Sequence, residues 1–430
     1  MGTREQAVLD FLGDEQATAF VTRHVNTPLN QSRFSELAMP EGISHSEMWN
    51  ILMGFRRLQG VLLINPLAAG AAGISWFNET PSIAENLARL IELGADDGLM
   101  ATTLASPALN GIRLSPFANE LRAALSRDGV AVSFDALSAL LQEHRAPYSD
   151  ADRAILNLVA FLRELPDYAD RELNGALIVA INDRVTQGVD LGAPPQDRPP
   201  MPNYRHDVDE ATIVEALANT WSRGERGEMH PLVAAISGSD ALWQYRPFAS
   251  GNALTELALR CLYLHRAHLS GLLFCPLCDP CLRWERGELS ESEAPYQIND
   301  QGFSSDFGID ATFFYDQKIS LYRQEAEKLA ALASDVAAET SLLCGLIRND
   351  YRLNHRQTAL LEEAINDPRI SHDVRSFSEE HRVSLVTART DLQKLEEFGY
   401  LFSSGKLTYV RYYPHADLAA RIMRFSGEGQ

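Results

Sequence analysis

Arg246-Pro247-Phe248-Ala249-Ser250-Gly251-Asn252-Ala253-Leu254 is the stretch from which the rest of the chain can be read. It is a proline- and glycine-containing break between two segments of helical spacing, Leu232 to Trp243 before it and Asn252 to His268 after it. A glycine-containing turn that opens a helix aims backbone N–H groups at one point, and such a point can hold a phosphate. A Gly-Asn pair at a helix start is equally an ordinary N-cap, so the pair alone leaves both readings open.

Two further stretches narrow the choice. His230-Pro231-Leu232 stands sixteen residues before Arg246, and Ser106-Pro107-Ala108-Leu109-Asn110-Gly111-Ile112-Arg113-Leu114-Ser115 lies further upstream. In this order the three resemble the Fic family: its signature His-Pro-Phe-x-Asp/Glu-Gly-Asn-Gly-Arg, its preceding His-Pro-Leu, and its inhibitory helix Ser/Thr-x-x-x-Glu-Gly/Asn. The resemblance covers roughly residues 100–285. It implies a helix–loop–helix core of the kind that transfers AMP or another phosphate-containing group to protein hydroxyls.

The departures from that pattern decide the chemistry. Where the family has its catalytic histidine the chain has Arg246, whose guanidinium stays protonated and cannot take a proton from a hydroxyl. The metal-binding acid is Ser250, the second glycine Ala253, the phosphate-clamping arginine Leu254, and the next family arginine Leu257. The inhibitory glutamate is Asn110, so both ends of the family's inhibitory ion pair are gone. The proline-rich Gly192–Pro202 replaces the hairpin that aligns target peptides in the family. Only the loop-shaping Pro247, Phe248, Gly251 and Asn252 remain. The expectation is a protein with no catalytic residues and no required cofactor. Arg246, Gly251 and Asn252 form a candidate nucleotide- or anion-binding set, against the plainer reading of Arg246 as a surface or ion-paired side chain. A Fic-type nucleotidyl- or phospho-transferase with altered residues is the enzymatic alternative.

Cys275-Pro276-Leu277-Cys278-Asp279-Pro280-Cys281 offers three thiols at metal-ligand spacing. A zinc or iron–sulfur site needs a fourth ligand, for which His268 or Cys261 is nearest. Plain burial of the cysteines is the competing reading.

From Asn354 the chain reads as three helices and a hairpin. The first has Ala359, Leu360, Ala364 and Ile365 inward; the second spans Ser371 to His381; the third follows Ser384, with Val386, Leu392 and Leu395 inward. The hairpin Tyr400–Tyr413 turns at Ser403-Ser404-Gly405-Lys406. The Asn-His-Arg-Gln opening and the run Val-Ser-x-x-Thr-Ala-Arg-x-Asp-Leu-x-x-Leu resemble the winged helix-turn-helix modules that follow many Fic cores. That resemblance implies duplex DNA as partner, with Ser384, Thr387 and Arg389 nearest the bases and Lys406 and Arg411 on phosphates. A protein contact is the alternative, because Glu379, Glu380, Glu396 and Glu397 repel DNA.

Composition bounds the rest. In 430 residues, 45% hydrophobic and 22% charged, there is material for two or three folded domains. A net charge of −20 excludes a general nucleic-acid coat, while the segment after Tyr351 is close to balanced. Met1 to Asp10 contains no apolar signal core, and Gly60 to Phe77 reads as a buried helix-loop-helix rather than a membrane span. The expectation is therefore a cytoplasmic homo-oligomer that does not enter membranes. Arg286 to Asp310 reads as the main linker and Thr312 to Ala337 as a helix, with sustained β alternation only near the C-terminus. The fold class is mainly α: a helical region at 1–99, a Fic-like helical core at 100–285, linker and helix at 286–350, and a winged helix with a small β hairpin at 351–430. The function that follows is a non-enzymatic regulator or adaptor, whose core dimerises or senses a ligand; a protein-interaction scaffold stands beside it.

Overall fold

Every residue from Asn252 to Leu264 is buried, so the helix Asn252–Arg266 is enclosed on all sides. A helix covered on every face belongs at the centre of a domain. The computed structural model describes residues 14–29, 31–64, 74–105, 110–142, 146–193, 195, 208–290, 292–294, 304–305, 308–405 and 410–427. The chain divides into two compact units, residues 1–96 with 116–327, and residues 97–115 with 328–430.

The first unit runs through α1 (Glu15–His24), α2 (Gln31–Ser35), α3 (His45–Gln59), β1 (Val61–Ile64), β2 (Ile74–Phe77) and α4 (Pro81–Gly94). After α5 (Leu99–Ala105) of the second unit comes α6 (Asn110–Arg127), whose residues from Pro116 on belong to the first. Next are α7 (Phe134–Leu141), α8 (Asp150–Arg163), α9 (Leu165–Tyr168), α10 (Gly175–Val185), α11 (Glu210–Glu225), α12 (Pro231–Tyr245), the central α13 (Asn252–Arg266) and α14 (Cys278–Glu285). Strands β3 (Ser304–Ser305) and β4 (Gly308–Asp310) lead into α15 (Thr312–Arg348).

Local chemistry explains where these helices start and how they pack. Pro231 opens α12 at a position that needs no N–H donor, and His230 caps it, Nδ1 accepting the Leu232 N–H at 3.2 Å. A Cβ on Gly238 would fall 2.3 Å from the Trp221 ring, so the absence of a side chain there lets α11 and α12 close on each other. Helices α8, α10 and α12 pack around α13.

The polar residues of α13 are satisfied from inside. Arg260 is bound by Glu256 (Nε–Oε1 2.8 Å), by the Cys275 carbonyl and by Glu120 of α6. Glu256 in turn accepts from the Ser239 hydroxyl and from Trp243 Nε1. Glu120 also accepts the N–H groups of Leu277, Cys278 and Asp279 at 3.1, 2.8 and 3.0 Å, and so caps α14. These charges have no water to fall back on, and each depends on the others.

Several expectations are corrected. Residues 60–77 are not a helix-loop-helix: Val-Leu-Leu-Ile and Ile-Ser-Trp-Phe form the antiparallel pair β1–β2 in a sheet of order β1-β2-β4-β3. Each run is too short for a stable helix, and pairing buries Trp76 and Phe77. Residues 65–73 lie outside the described set. The segment expected to be a linker is packed where it is described. Leu289 and Ala294 join Trp284 and Leu321 in an apolar cluster, and β4 pairs in parallel with β2. Helix α15 continues past Ala337 to Arg348 because no breaker intervenes, and Leu343 and Ile347 gain burial in the second unit's core. By length and composition alone α15 is long and apolar enough to cross a membrane.

In the second unit α15 is followed by α16 (His355–Asn366), β5 (His372–Asp373), α17 (Val374–His381), α18 (Leu385–Glu397), β6 (Leu401–Ser404), β7 (Arg411–Pro414) and α19 (Leu418–Gly427). The strands form an antiparallel sheet of order β5-β7-β6. Leu360, Leu361, Ala364, Phe377, Ala388, Leu392, Leu395 and Ile422 make its core. Ala359 and Val386, expected inward, are exposed, Val386 to 76%. Both lie just off the buried stripe, which falls instead on Leu360–Leu361 and on Ala388. The second helix begins at Val374 rather than Ser371, because Asp373 caps it while His372 and Asp373 pair with Tyr412 and Arg411.

The buried charges of α13 give the first prediction. Glu120→Ala strips a partner from Arg260 and the cap from α14, and should cost about 3–5 kcal/mol in urea unfolding. Arg89→Ala, which removes half-exposed pairs with Glu92 and Glu327, should cost less than about 1 kcal/mol.

Candidate functional site

The loop between α12 and α13 is shaped by a few contacts. Arg246 ends α12 in the left-handed region (φ 45°), and Gly251 opens α13 there too (φ 71°). A side chain at Gly251 would be strained by its backbone and would also meet Thr186 Cγ2 at 2.4 Å. Asn252 brackets Phe248 from both sides: its Oδ1 accepts the Phe248 N–H at 2.9 Å and its Nδ2 donates to the Phe248 carbonyl at 2.8 Å. Asn182 Nδ2 donates to the Ser250 carbonyl (3.1 Å) and to Thr255 Oγ1 (2.9 Å). Phe248, Gly251 and Asn252 thus hold the turn.

The anion position at the start of α13 is filled from within the chain. Asp128, just after α6, places its carboxylate 3.2 and 3.0 Å from the Ala253 amide nitrogen, which donates to it. The Leu254 N–H, Arg246 and Arg127 also favour its charged form. Burial outweighs them and pushes the Asp128 carboxyl up to about 7. Arg246 is turned to the protein, its Nε donating to the Trp243 carbonyl at 3.2 Å and its Nη1 to the Pro195 carbonyl. Leu254 and Leu257 are buried in the core. The structure therefore brings Arg246, Gly251 and Asn252 together, around a carboxylate of the protein's own. Asn110 lies among residues whose side chains are not described.

The sulfur cluster is not gathered as a ligand set. Cys275, Cys278 and Cys281 are fully buried, and their sulfurs meet protein groups: Cys275 the Tyr322 carbonyl (3.8 Å), Cys278 the Arg127 Nε that donates to it (3.2 Å). Burial pushes the Cys281 and Cys261 thiols up to about 12 and raises the Cys275 and Cys278 thiols well above their ordinary value. His268 is on the surface beside Asp96. Among the described residues, one group of three or more His, Cys, Asp and Glu brings its ligand atoms within 4.8 Å, and it is Glu363, His372 and Glu380.

In the second unit, Ser384, Arg389, Thr390, Gln393 and Arg411 are exposed and Thr387 half-buried, while Ala388, Asp391, Leu392 and Leu395 of the same helix are buried. Ser384 and Thr387 are also engaged with each other, Ser384 Oγ accepting the Thr387 N–H at 3.1 Å as the cap of α18. Lys406 lies outside the described residues. Asp391 is the keystone the sequence reading missed. It accepts from Asn354 Nδ2 (2.7 Å) and Arg356 Nε (2.8 Å), while its carbonyl takes the Gln357 amide at 3.0 Å. The Asn354-His355-Arg356-Gln357 opening thus has a physical reason: it ties the start of α16 to the middle of α18. Asp128 was missed as well, and nothing local marks it, since its partners lie 125 positions away.

No family model and no curated protein matches the sequence. Among solved structures, the chain is similar to a Fic family protein from Desulfovibrio desulfuricans G20. The two share 16% identity over 78% of this chain and 97% of that one, with a TM-score of 0.44.

The raised Asp128 carboxyl carries a sign for stability. The folded state holds this proton up to about pH 7, whereas the unfolded chain releases it in the ordinary carboxylate range. Its contribution is thus full at acid pH and is lost as pH rises through 7, by at most about 1.4 kcal/mol per pH unit. Asp128→Asn keeps an acceptor for the Ala253 N–H and removes the titration. Urea midpoints at pH 5.5 and 8.5 should move in the variant's favour, relative to wild type, at the higher pH.

Proposed function

We propose that this chain is a Fic-like protein without transferase activity that acts as a regulator, its C-terminal module being a winged helix that binds duplex DNA. The occupied anion position carries the non-enzymatic half of this reading. A phosphate brought to the start of α13 would have to displace Asp128, and the loop around it has neither a histidine base nor an arginine clamp. What remains is a turn held by Asn252 and Asn182, suited to support a fold or a dimer rather than turn over a nucleotide. The altered-residue transferase would need a different base, and the loop supplies none.

Support for the DNA-binding half comes from α18. Its polar side chains Ser384, Arg389, Thr390 and Gln393 are free of the core, and its other face is locked by Asp391, Leu392 and Leu395. A helix presented that way, after a short helix and before a hairpin bearing an exposed Arg411, has the form in which a recognition helix enters the major groove. With −20 overall, the protein would bind through this patch alone and gain strength by pairing two copies. One observation favours a second reading, a protein contact by the same module. Leu385 and Val386 at the head of α18 are 57% and 76% exposed, a small apolar patch. We place this regulator in the cytoplasm, outside membranes. Leu343 and Ile347, which pack in the second unit's core, favour a protein setting for the end of α15.

Two measurements test the reading. Purified protein given α-labelled ATP should place no label on itself or on lysate proteins; label on protein would restore the transferase. Fluorescence anisotropy with duplexes from random pools, at two salt concentrations, should find a preferred sequence. Arg389→Ala should relax that preference and cost roughly 1–3 kcal/mol at one base pair. If the full-length protein selects no sequence, the protein-contact reading takes its place.

A further inference from the structure

The three residues Glu363, His372 and Glu380 come from three elements of the second unit: the end of α16, strand β5 and the end of α17. His372 is buried, and its ring lies edge-on to the buried Phe377, with centroids 6.3 Å apart. Its Nε2 is shielded from water and has no hydrogen-bond partner, although a Glu363 carboxylate oxygen stands 3.3 Å away. Glu380 offers a carboxylate oxygen 3.8 Å from the other ring nitrogen. The buried ring has a carboxylate facing each of its nitrogens, and its Nε2 is left without a hydrogen bond, which is costly unless something completes it.

We propose that His372, Glu363 and Glu380 bind one divalent transition-metal ion of the zinc class. An imidazole and two carboxylates are a donor set that suits zinc, manganese or iron(II), with water filling the remaining positions. One ligand atom from each residue lies within 4.8 Å of the others. Bonds of about 2.0–2.1 Å at tetrahedral angles need edges of about 3.3 Å. The closing motion falls to the two glutamates, whose side chains are 46% and 51% exposed and can turn, while the imidazole stays fixed by its packing. The site has structural consequences, because β5 pairs with β7 through His372 and Tyr412. An ion there fastens α16 and α17 to the hairpin strand. This inference is independent of the DNA-binding proposal, and neither test decides the other.

The experiment uses the full chain stripped with chelator and titrated with zinc, cobalt(II) or magnesium chloride. Thermal unfolding should shift upward with zinc and cobalt and not with magnesium, and saturate near one equivalent. Cobalt should give weak visible d–d bands without the near-ultraviolet thiolate charge transfer that Cys275, Cys278 or Cys281 would produce. The variants Glu363→Gln and Glu380→Gln alter exposed side chains, so they should fold like wild type and bind at least about tenfold more weakly. His372→Gln should abolish binding. Thiolate bands, equal affinity in the two glutamine variants, or no shift with zinc up to millimolar concentration would each overturn the proposal.

Discussion

Two carboxylates on or beside one helix take over the N-terminal amides of two others, and the first unit depends on that arrangement. Glu120 holds the start of α14, and Asp128 the start of α13. A helix start carries unpaired N–H groups and about half a positive charge, so a buried one must find an anion. Here two carboxyl groups accept those N–H groups, Glu120 on α6 and Asp128 just beyond its end, roughly two turns further along. The position of α6 thereby fixes the ends of both helices, and Arg260 neutralises Glu120.

The loop at Gly251 and Asn252 is held in the same way, by groups that bond to backbone or to each other. The turn is held by Asn252, Asn182, Thr255 and Gly251, all of which act on backbone or on one another. Arg246 is anchored to carbonyls and Leu254 to the core. Shape and chemistry are carried by separate residues here.

Much of the helical layout was legible in the sequence. Pro231 after His230, the break at Pro247–Gly251 and the apolar run of α13 mark boundaries by short-range rules that hold in any context. In the second unit, the three helices and the hairpin were legible for the same reason. Strands β1, β2 and β4 were not, because runs of three or four residues have no period to read and gain stability only from partners far along the chain. Val386 was misplaced by its apolar character alone: Arg389, Thr390 and Gln393, which share its face at helical spacing, are polar and exposed, and the buried stripe runs through Ala388, Leu392 and Leu395. Asp128, Asp391 and His372 escaped for one shared reason: each is an ordinary polar residue until tertiary contacts supply its partners.

The tie from Asp391 to Asn354, Arg356 and Gln357 has a consequence of its own. It anchors α18 by its inner side, through a side chain and a carbonyl that never reach the surface. Arg389, Thr390 and Gln393, one or two positions away, carry none of that anchoring. Drift at those three outer positions can change the surface chemistry of the helix while its architecture stands still, so that a changing face and a preserved shape are carried by different residues of a single helix.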